Sequence, residues 1–139
     1  MNIDLITVGK TDSAEVAALV AEYAKRIARR VRFGVVMLPD VKRTAKTLPA
    51  TVAKAEGEML LRGFAPDDHV VLLDDKGVQF DSRGFASWLG ARLSGTSARR
   101  LVFVVGGAYG FSPEVRARAN ESVSLSRMTF SHQIVRAIF

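Results

Sequence analysis

Leu101-Val102-Phe103-Val104-Val105-Gly106-Gly107-Ala108-Tyr109-Gly110, followed by Phe111 and Ser112-Pro113-Glu114, decides the fold class. Leu101–Val105 is an apolar run with no polar position, which reads as a strand buried on both faces, as in a parallel sheet. The glycines then turn the chain, since glycine adopts positive φ and lets backbone come close to a neighbour. Ser112 is an expected N-cap, because a short side-chain oxygen satisfies backbone N–H groups orphaned at a helix start, and Pro113 suits the first helical turn. A short helix over Pro113–Ala119 is expected. Strand, glycine turn and capped helix in succession make a βα unit.

The unit recurs on both sides of this stretch. Toward the N-terminus, Pro66-Asp67-Asp68 is a turn, and His69–Asp74 is a strand around Val70-Val71-Leu72-Leu73. Asp75-Lys76-Gly77 is expected to turn the chain again. Asp81 or Ser82 then caps a helix with Phe85, Trp88, Leu89 and Leu93 on one face. Farther out, Asn2–Val8 is a strand ending at Gly9-Lys10. Asp12 or Ser13 caps a helix whose inward face is Val16, Val20, Tyr23 and Ile27, and whose end collects Lys25, Arg26, Arg29 and Arg30 at the negative pole of its dipole. Phe33–Leu38 reads as a strand buried on both faces. Pro39–Thr47 is a polar loop, and Pro49 opens a helix to about Arg62 with Val52, Ala55 and Met59 inward. On the C-terminal side, Ser122–Leu125 is a fifth strand and His132–Phe139 starts a final helix.

Strands alternating with helices predict one α/β domain over residues 1–139, with a mostly parallel sheet covered on both faces. No repeat, low-complexity tract or linker interrupts it. Ligands of such sheets bind at the carboxyl ends of the strands. Three loops leave strand ends in that way: one after Leu73, one at Gly106–Gly110 and one after Leu125. If those strands are neighbours, the loops form one pocket.

A chain of 139 residues, 48% hydrophobic and 24% charged with 4 prolines, is no disordered tail or fibrous repeat. With 0 cysteines it carries no disulfide, cysteine zinc site or thiol nucleophile, and with 2 histidines no metal site is expected. Met1-Asn2-Ile3-Asp4 lacks a signal-peptide pattern, and the apolar runs fall far short of the roughly twenty residues of a membrane span. A soluble cytoplasmic protein is expected. The net charge of +6 and pI near 10.2 suit an anionic partner, most often nucleic acid, although many basic proteins bind none.

The glycine loop reads G-G-x-x-G, neither the G-x-G-x-x-G dinucleotide fingerprint nor a phosphate loop, and is either a ligand site or a tight strand-to-helix turn. Asp74 and Asp75 end a strand, as ribose acceptors or turn caps. His69 lies at the other end of that strand and reads as structural. His132 is a base near neutral pH or an early helix residue. No Ser/His/acid signature for a triad is present. Met37, Met59 and Met128 read as core fillers. Lys25–Arg32 and Lys42–Lys46 form an early basic group. Arg99, Arg100, Arg116, Arg118, Arg127 and Arg136 form a late one, in which Arg127 and Arg136 flank the third loop.

Four segments carry a resemblance: Asn2–Lys10 (N-I-D-L-I-T-V-G-K), Val70–Gly77 (V-V-L-L-D-D-K-G), Val104–Gly110 (V-V-G-G-A-Y-G) and Ser124–Arg136 (S-L-S-R-M-T-F-S-H-Q-I-V-R). In this order, over the whole chain, they resemble the SPOUT-class large-subunit ribosomal RNA methyltransferase H family. The last two together are the specific ones. The resemblance implies a SPOUT-type fold with a C-terminal trefoil knot, S-adenosyl-L-methionine as cofactor, a homodimer, and methylation of N3 of a pseudouridine in helix 69 of 23S rRNA on the assembled ribosome. It places cofactor contacts on Leu73, Gly106 and the stretch Leu125, Ser126, Arg127, Met128, Thr129 and Phe130. In the last segment His132 alone has an intrinsic pKa suited to taking a proton from a nucleobase nitrogen, so His132, with Arg136 beside it, is the expected catalytic pair. Family members continue past Phe139 with glutamate-glutamine, tyrosine-arginine and a tail ending in proline-tyrosine-histidine. At this length the knot is expected to be incomplete and methyl transfer weak.

Two other functions fit the residues. A non-enzymatic RNA-binding module explains the charge and makes the glycine loop a mere turn. A nucleotide-dependent oxidoreductase fits the sheet but lacks its glycine fingerprint.

Overall fold

In the computed structural model, which describes residues 1–95 and 97–139, five strands and five helices alternate. They are β1 (Asn2–Val8), α1 (Ala14–Ala28), β2 (Arg32–Leu38), α2 (Pro49–Gly63), β3 (Asp68–Gln79), α3 (Ser82–Gly95), β4 (Arg100–Val105), α4 (Pro113–Arg118), β5 (Glu121–Ser124) and α5 (Ile134–Ile138). The strands make one sheet in the order β2-β1-β4-β3-β5, every neighbouring pair parallel. This is the expected α/β architecture. It sets β3, β4 and β5 side by side, so the three loops that follow them meet at one edge.

Alternation along each strand sorts the core into two faces. Ile6, Val8, Val70, Leu72, Val102 and Val104 face Leu60 of α2 and Val115 of α4. Ile3, Leu5, Val71, Leu101, Phe103, Val105 and Val123 face Phe85, Trp88, Leu89 and Leu93 of α3, and Val135 and Phe139 at α5. The Ser13 and Ser112 hydroxyls accept the N–H of Val16 and Val115, both at 3.3 Å, and Pro49 opens α2.

Several expectations are corrected. Strand β2 lies at the sheet edge and is not buried on both faces: Val36 is 39% and Met37 54% exposed. Met128 is 75% exposed, so neither it nor Met37 fills the core, whereas Met59 packs against it. Helix α1 has no fully buried residue, and its Tyr23 is 47% exposed. The buried stripe of α2 is Val52, Ala53, Glu56, Gly57 and Leu60, with Ala55 and Met59 half-buried. That stripe keeps helical spacing but includes a carboxylate and a glycine, which an apolar pattern does not mark.

The turn expected at Asp75-Lys76-Gly77 is absent. Strand β3 runs on to Gln79 and pairs again with β5 through Val78 and Gln79, with a register shift between Leu73 and Val78. The chain bulges there instead of reversing. A Cβ at Gly77 would lie 2.6 Å from the backbone of Ser122 and Val123, so the strands close only over a glycine.

At the amino end of the sheet, away from the loops, Glu121 gathers three donors. His69 Nε2 lies 2.9 Å from its Oε2, Arg92 Nε donates to the same oxygen at 3.0 Å, and Trp88 Nε1 donates to Oε1 at 3.3 Å. The Arg92 hydrogen bond, aided by those of His69 and Trp88, outweighs burial and holds the Glu121 carboxyl down at about 2, from 4.5. A depressed folded-state value means stability that is present above the unfolded value and lost as pH falls through the folded one. Glu121→Gln should therefore cost roughly 1–3 kcal/mol at neutral pH. The difference from wild type should shrink between about pH 4.5 and 2. Urea unfolding midpoints of both proteins across that range check this; a constant difference would contradict it.

Candidate functional site

The three loops enclose a cavity of about 540 Å³ at the carboxyl ends of β3, β4 and β5. Leu73, Asp74 and Asp75 supply one wall. Val105 to Ala108, with Gly110 and Phe111, supply the second. Leu125, Ser126, Met128 to His132 and Val135 supply the third, and Arg116 of α4 closes a corner. A parallel sheet makes this site by register alone: Leu73 pairs with Val105 across β3 and β4, and Leu73 pairs with Val123 across β3 and β5.

Of the residues singled out from sequence, Leu73, Gly106, Leu125, Ser126, Met128, Thr129, Phe130 and His132 all line this cavity. Arg127 and Arg136 do not. Arg127 is exposed on the outside of the third loop. Arg136 is buried away from the cavity, where its guanidinium makes four hydrogen bonds. It donates to the carbonyls of Val8 and Gly9, both at 2.8 Å, to Thr11 Oγ1 at 3.1 Å and to the His132 carbonyl at 3.0 Å. The fork of N–H donors fits a cluster of carbonyls that a turn leaves unpaired. Gln133 adds a second tie, accepting the Asp12 N–H at 2.9 Å and donating to the Lys10 carbonyl at 3.2 Å. Both ties fasten α5 to the β1–α1 loop and so orient His132.

The glycine loop is a tight turn and a cavity wall at once. Gly110 N–H donates to the Gly107 carbonyl at 3.1 Å, and Gly110 takes φ 75°, the left-handed region. Gly106 has no such φ; a Cβ there would lie 3.1 Å from the Phe111 ring. The third loop satisfies its own backbone with serines. Ser124 Oγ donates to the Ser126 carbonyl at 2.9 Å, and Ser126 Oγ accepts the Met128 N–H at 3.0 Å. Met128 and Phe130 of this loop line the cavity.

Two lining groups have no local signal in the sequence. Arg116 Nη1 donates to Asp74 Oδ2, and the Lys76 N–H donates to Asp74 Oδ1 at 3.2 Å. Burial pushes the Asp74 carboxyl up, but these hydrogen bonds prevail and hold it below the usual carboxylate range. Phe111 is the second, a ring brought against Gly106. His132 is shifted the other way from a free imidazole: burial, then the nearby Arg136 charge, lowers its pKa, with Arg43 acting in the same sense and Asp12 and Asp40 opposing. The imidazole is therefore neutral near pH 7, a proton acceptor on the cavity wall. Among the described residues, no group of three or more His, Asp or Glu is placed to hold a metal, and no helix is long and apolar enough to cross a membrane.

Comparison with known proteins agrees with this geometry. Residues 1–139 match the family described as "Predicted SPOUT methyltransferase". The chain is 46% identical to a protein of Christiangramia forsetii named "Ribosomal RNA large subunit methyltransferase H", over 140 residues covering 100% of this chain and 88% of that one. It is 43% identical to proteins of the same name from Parabacteroides distasonis and Porphyromonas gingivalis, each over 139 residues with the same coverage. With its whole length matched and its parallel sheet ending in a three-loop cavity, the chain belongs to the SPOUT methyltransferase family.

Proposed function

We propose that this protein methylates ribosomal RNA with S-adenosyl-L-methionine held in the three-loop cavity. The observation that carries the reading is that residues from all three loops named from the sequence line one cavity in a chain of this family. The lining fits the cofactor's chemistry. About 540 Å³ lies within the roughly 300–1,000 Å³ of small-molecule sites. Leu73, Leu125 and Met128 offer apolar walls for adenine, and the side-chain-free Gly106 and Gly107 let backbone approach. Asp74, kept ionised beside Arg116, and Asp75 offer negative charge to a cationic ligand. When bound there, the cofactor supplies a methyl group on a sulfonium, open to displacement by a nucleobase nitrogen.

The chain's own part is to position that nitrogen and take its proton. His132, neutral and on the wall, is the base in this reading, and Arg136 is a positioning residue that holds α5. The finer target is N3 of a pseudouridine in helix 69 of 23S rRNA on assembled ribosomes, by a homodimer acting in the cytoplasm. Resemblance to the family supports it. The exposed Leu19 and Tyr23 of α1 and Ile134 and Ile138 of α5 suit an apolar subunit contact. RNA would meet the basic side chains that the parallel sheet brings to the cavity end: Lys10, Lys42, Arg43, Lys46 and Arg127, all exposed. Arg99 and Arg100 lie at the opposite end, engaged with Asp67, Asp4 and Asp68.

Three measurements test these assignments. Isothermal titration should show S-adenosyl-L-methionine binding, and Gly106→Val should abolish it by driving Phe111 into the cavity, not by straining φ. Retained binding by the valine variant would remove Gly106 from the site. No heat with the wild-type protein would leave the chain an RNA binder without the cofactor. With unmodified ribosomes and labelled cofactor, His132→Gln should lower kcat by about 10²–10⁴-fold. The acid limb of the wild-type rate profile should fall below pH 6.5, since burial lowers the imidazole pKa and protonation removes the acceptor. A limb at or above that pH would assign the base elsewhere. Finally, affinity for an rRNA fragment should fall steeply with salt through counterion release. Alanine at Lys42, Arg43 and Lys46 should flatten that slope, and alanine at Arg99 should not. Equal slopes for both variants would place RNA on another face.

A further inference from the structure

Glu56 takes no part in the chemistry above, yet it stands directly behind the cavity. It lies on the buried stripe of α2, 6% exposed, with its Oε1 buried and without a hydrogen-bond partner. Buried carboxylate oxygens are seldom left unpaired, because the lost hydration is not replaced. This one ends against the glycine loop. A Cβ on Gly107 would lie 2.2 Å from Glu56 Oε2 and 2.6 Å from Oε1. Gly107 does not have positive φ, so its backbone would accept a side chain; the carboxyl occupies the space. The next residue of the helix does the same at the loop's other end: a Cβ on Gly57 would lie 2.3 Å from the Oγ of Ser112, the N-cap of α4. Consecutive residues of α2 thus back both ends of the turn whose opposite side lines the cavity.

We infer that Glu56 is a positioning residue for the cofactor: its carboxyl is wedged behind Gly107 and fixes the Gly106–Gly110 backbone against which S-adenosyl-L-methionine binds. This rests on the reading of the cavity as the cofactor site. Asp40 and Arg43, both from the β2–α2 loop, are the charges that face Glu56. Burial pushes its carboxyl pKa up, with Arg43 opposing and Asp40 adding; a glutamine keeps the shape of the side chain without its charge. A wedge acts through its volume, and the glutamine keeps it.

The test is a double-mutant cycle read by cofactor titration and by amide exchange of the loop. Gly107→Ala should weaken S-adenosyl-L-methionine binding about tenfold or more, by pushing the loop off Glu56, and Glu56→Ala should weaken it several-fold, each a steric effect on one contact. The double variant should bind better than Gly107→Ala alone, since the truncated glutamate makes room for the methyl. Glu56→Gln should bind within about twofold of wild type. In the ribosome assay Glu56→Ala should raise the KM for the cofactor and leave kcat nearly unchanged. Truncating this buried side chain leaves a cavity and lowers the melting temperature, so titration and exchange are read at a temperature where Glu56→Ala is fully folded, with exchange at Leu101–Val105 as the internal reference. In the free protein, exchange at the amides of 106–110 should quicken in Glu56→Ala and not in Glu56→Gln. Unchanged exchange and affinity in Glu56→Ala, or strictly additive effects in the cycle, would overturn the inference. If the wild-type protein binds no S-adenosyl-L-methionine, the cofactor reading fails by itself, and loop exchange still decides whether Glu56 holds Gly107.

Discussion

Strand β4 has no side that faces water, and the rest of the molecule follows from that constraint. Its edges are taken by β1 and β3 in parallel register, and its residues from Leu101 to Val105 are buried on both faces. A central parallel strand needs crossover helices on both sides, because consecutive parallel strands cannot be joined by tight turns. Those crossovers return every chain direction to the same sense, so all strand ends with open loops gather at one edge. The cavity is thus a consequence of topology. Its walls are whatever residues follow β3, β4 and β5, and its chemistry is written in those loops alone.

The third wall would not stay in place by burial alone, because residues 127–131 are exposed and α5 is short. Arg136 and Gln133 supply the missing constraint. Val8 and Gly9 present carbonyls as β1 ends and the chain turns at Gly9, φ 76°, and a planar guanidinium satisfies them together. A lysine, whose three donors sit on a single nitrogen, could not reach all of these groups, which Arg136 meets from Nε, Nη1 and Nη2. Burying the cation is costly, and four hydrogen-bond acceptors, with the Asp12 and Asp40 charges nearby, offset that cost. Arg136 thereby joins α5 to the end of β1.

What was legible in the sequence divides along the range of the forces involved. Strand runs such as Val70–Leu73 and caps such as Ser13 and Ser112 are local, and the structure has them where the pattern puts them. The cavity was legible because strand-end logic and the family motif select the same three loops. What sequence did not show are relations between distant residues. The bulge of β3 at Asp74–Gly77 looked like a turn, because its Asp-Asp-Lys-Gly composition is that of a turn; only the backbone of β5, 2.6 Å from where a Gly77 Cβ would stand, makes it a strand. The pair Asp74–Arg116 joins two elements with no sequence proximity. The edge position of β2, and with it the exposure of Met37, depends on strand order, which composition does not encode.

The glycines illustrate why a motif and its physical cause are different things. In G-G-x-x-G the third glycine serves backbone conformation, since Gly110 alone of the three takes the left-handed region. The first two serve space. Gly106 leaves room for the Phe111 ring and Gly107 for the Glu56 carboxyl, both in direct contact range of an absent Cβ. A loop required only to turn would need a glycine at one of these positions. Three are present because a ring presses Gly106, a carboxyl presses Gly107, and Gly110 takes the left-handed region. The pattern therefore encodes the close approach of a ring and a carboxyl to the loop, and the carboxyl comes from α2, far away in sequence.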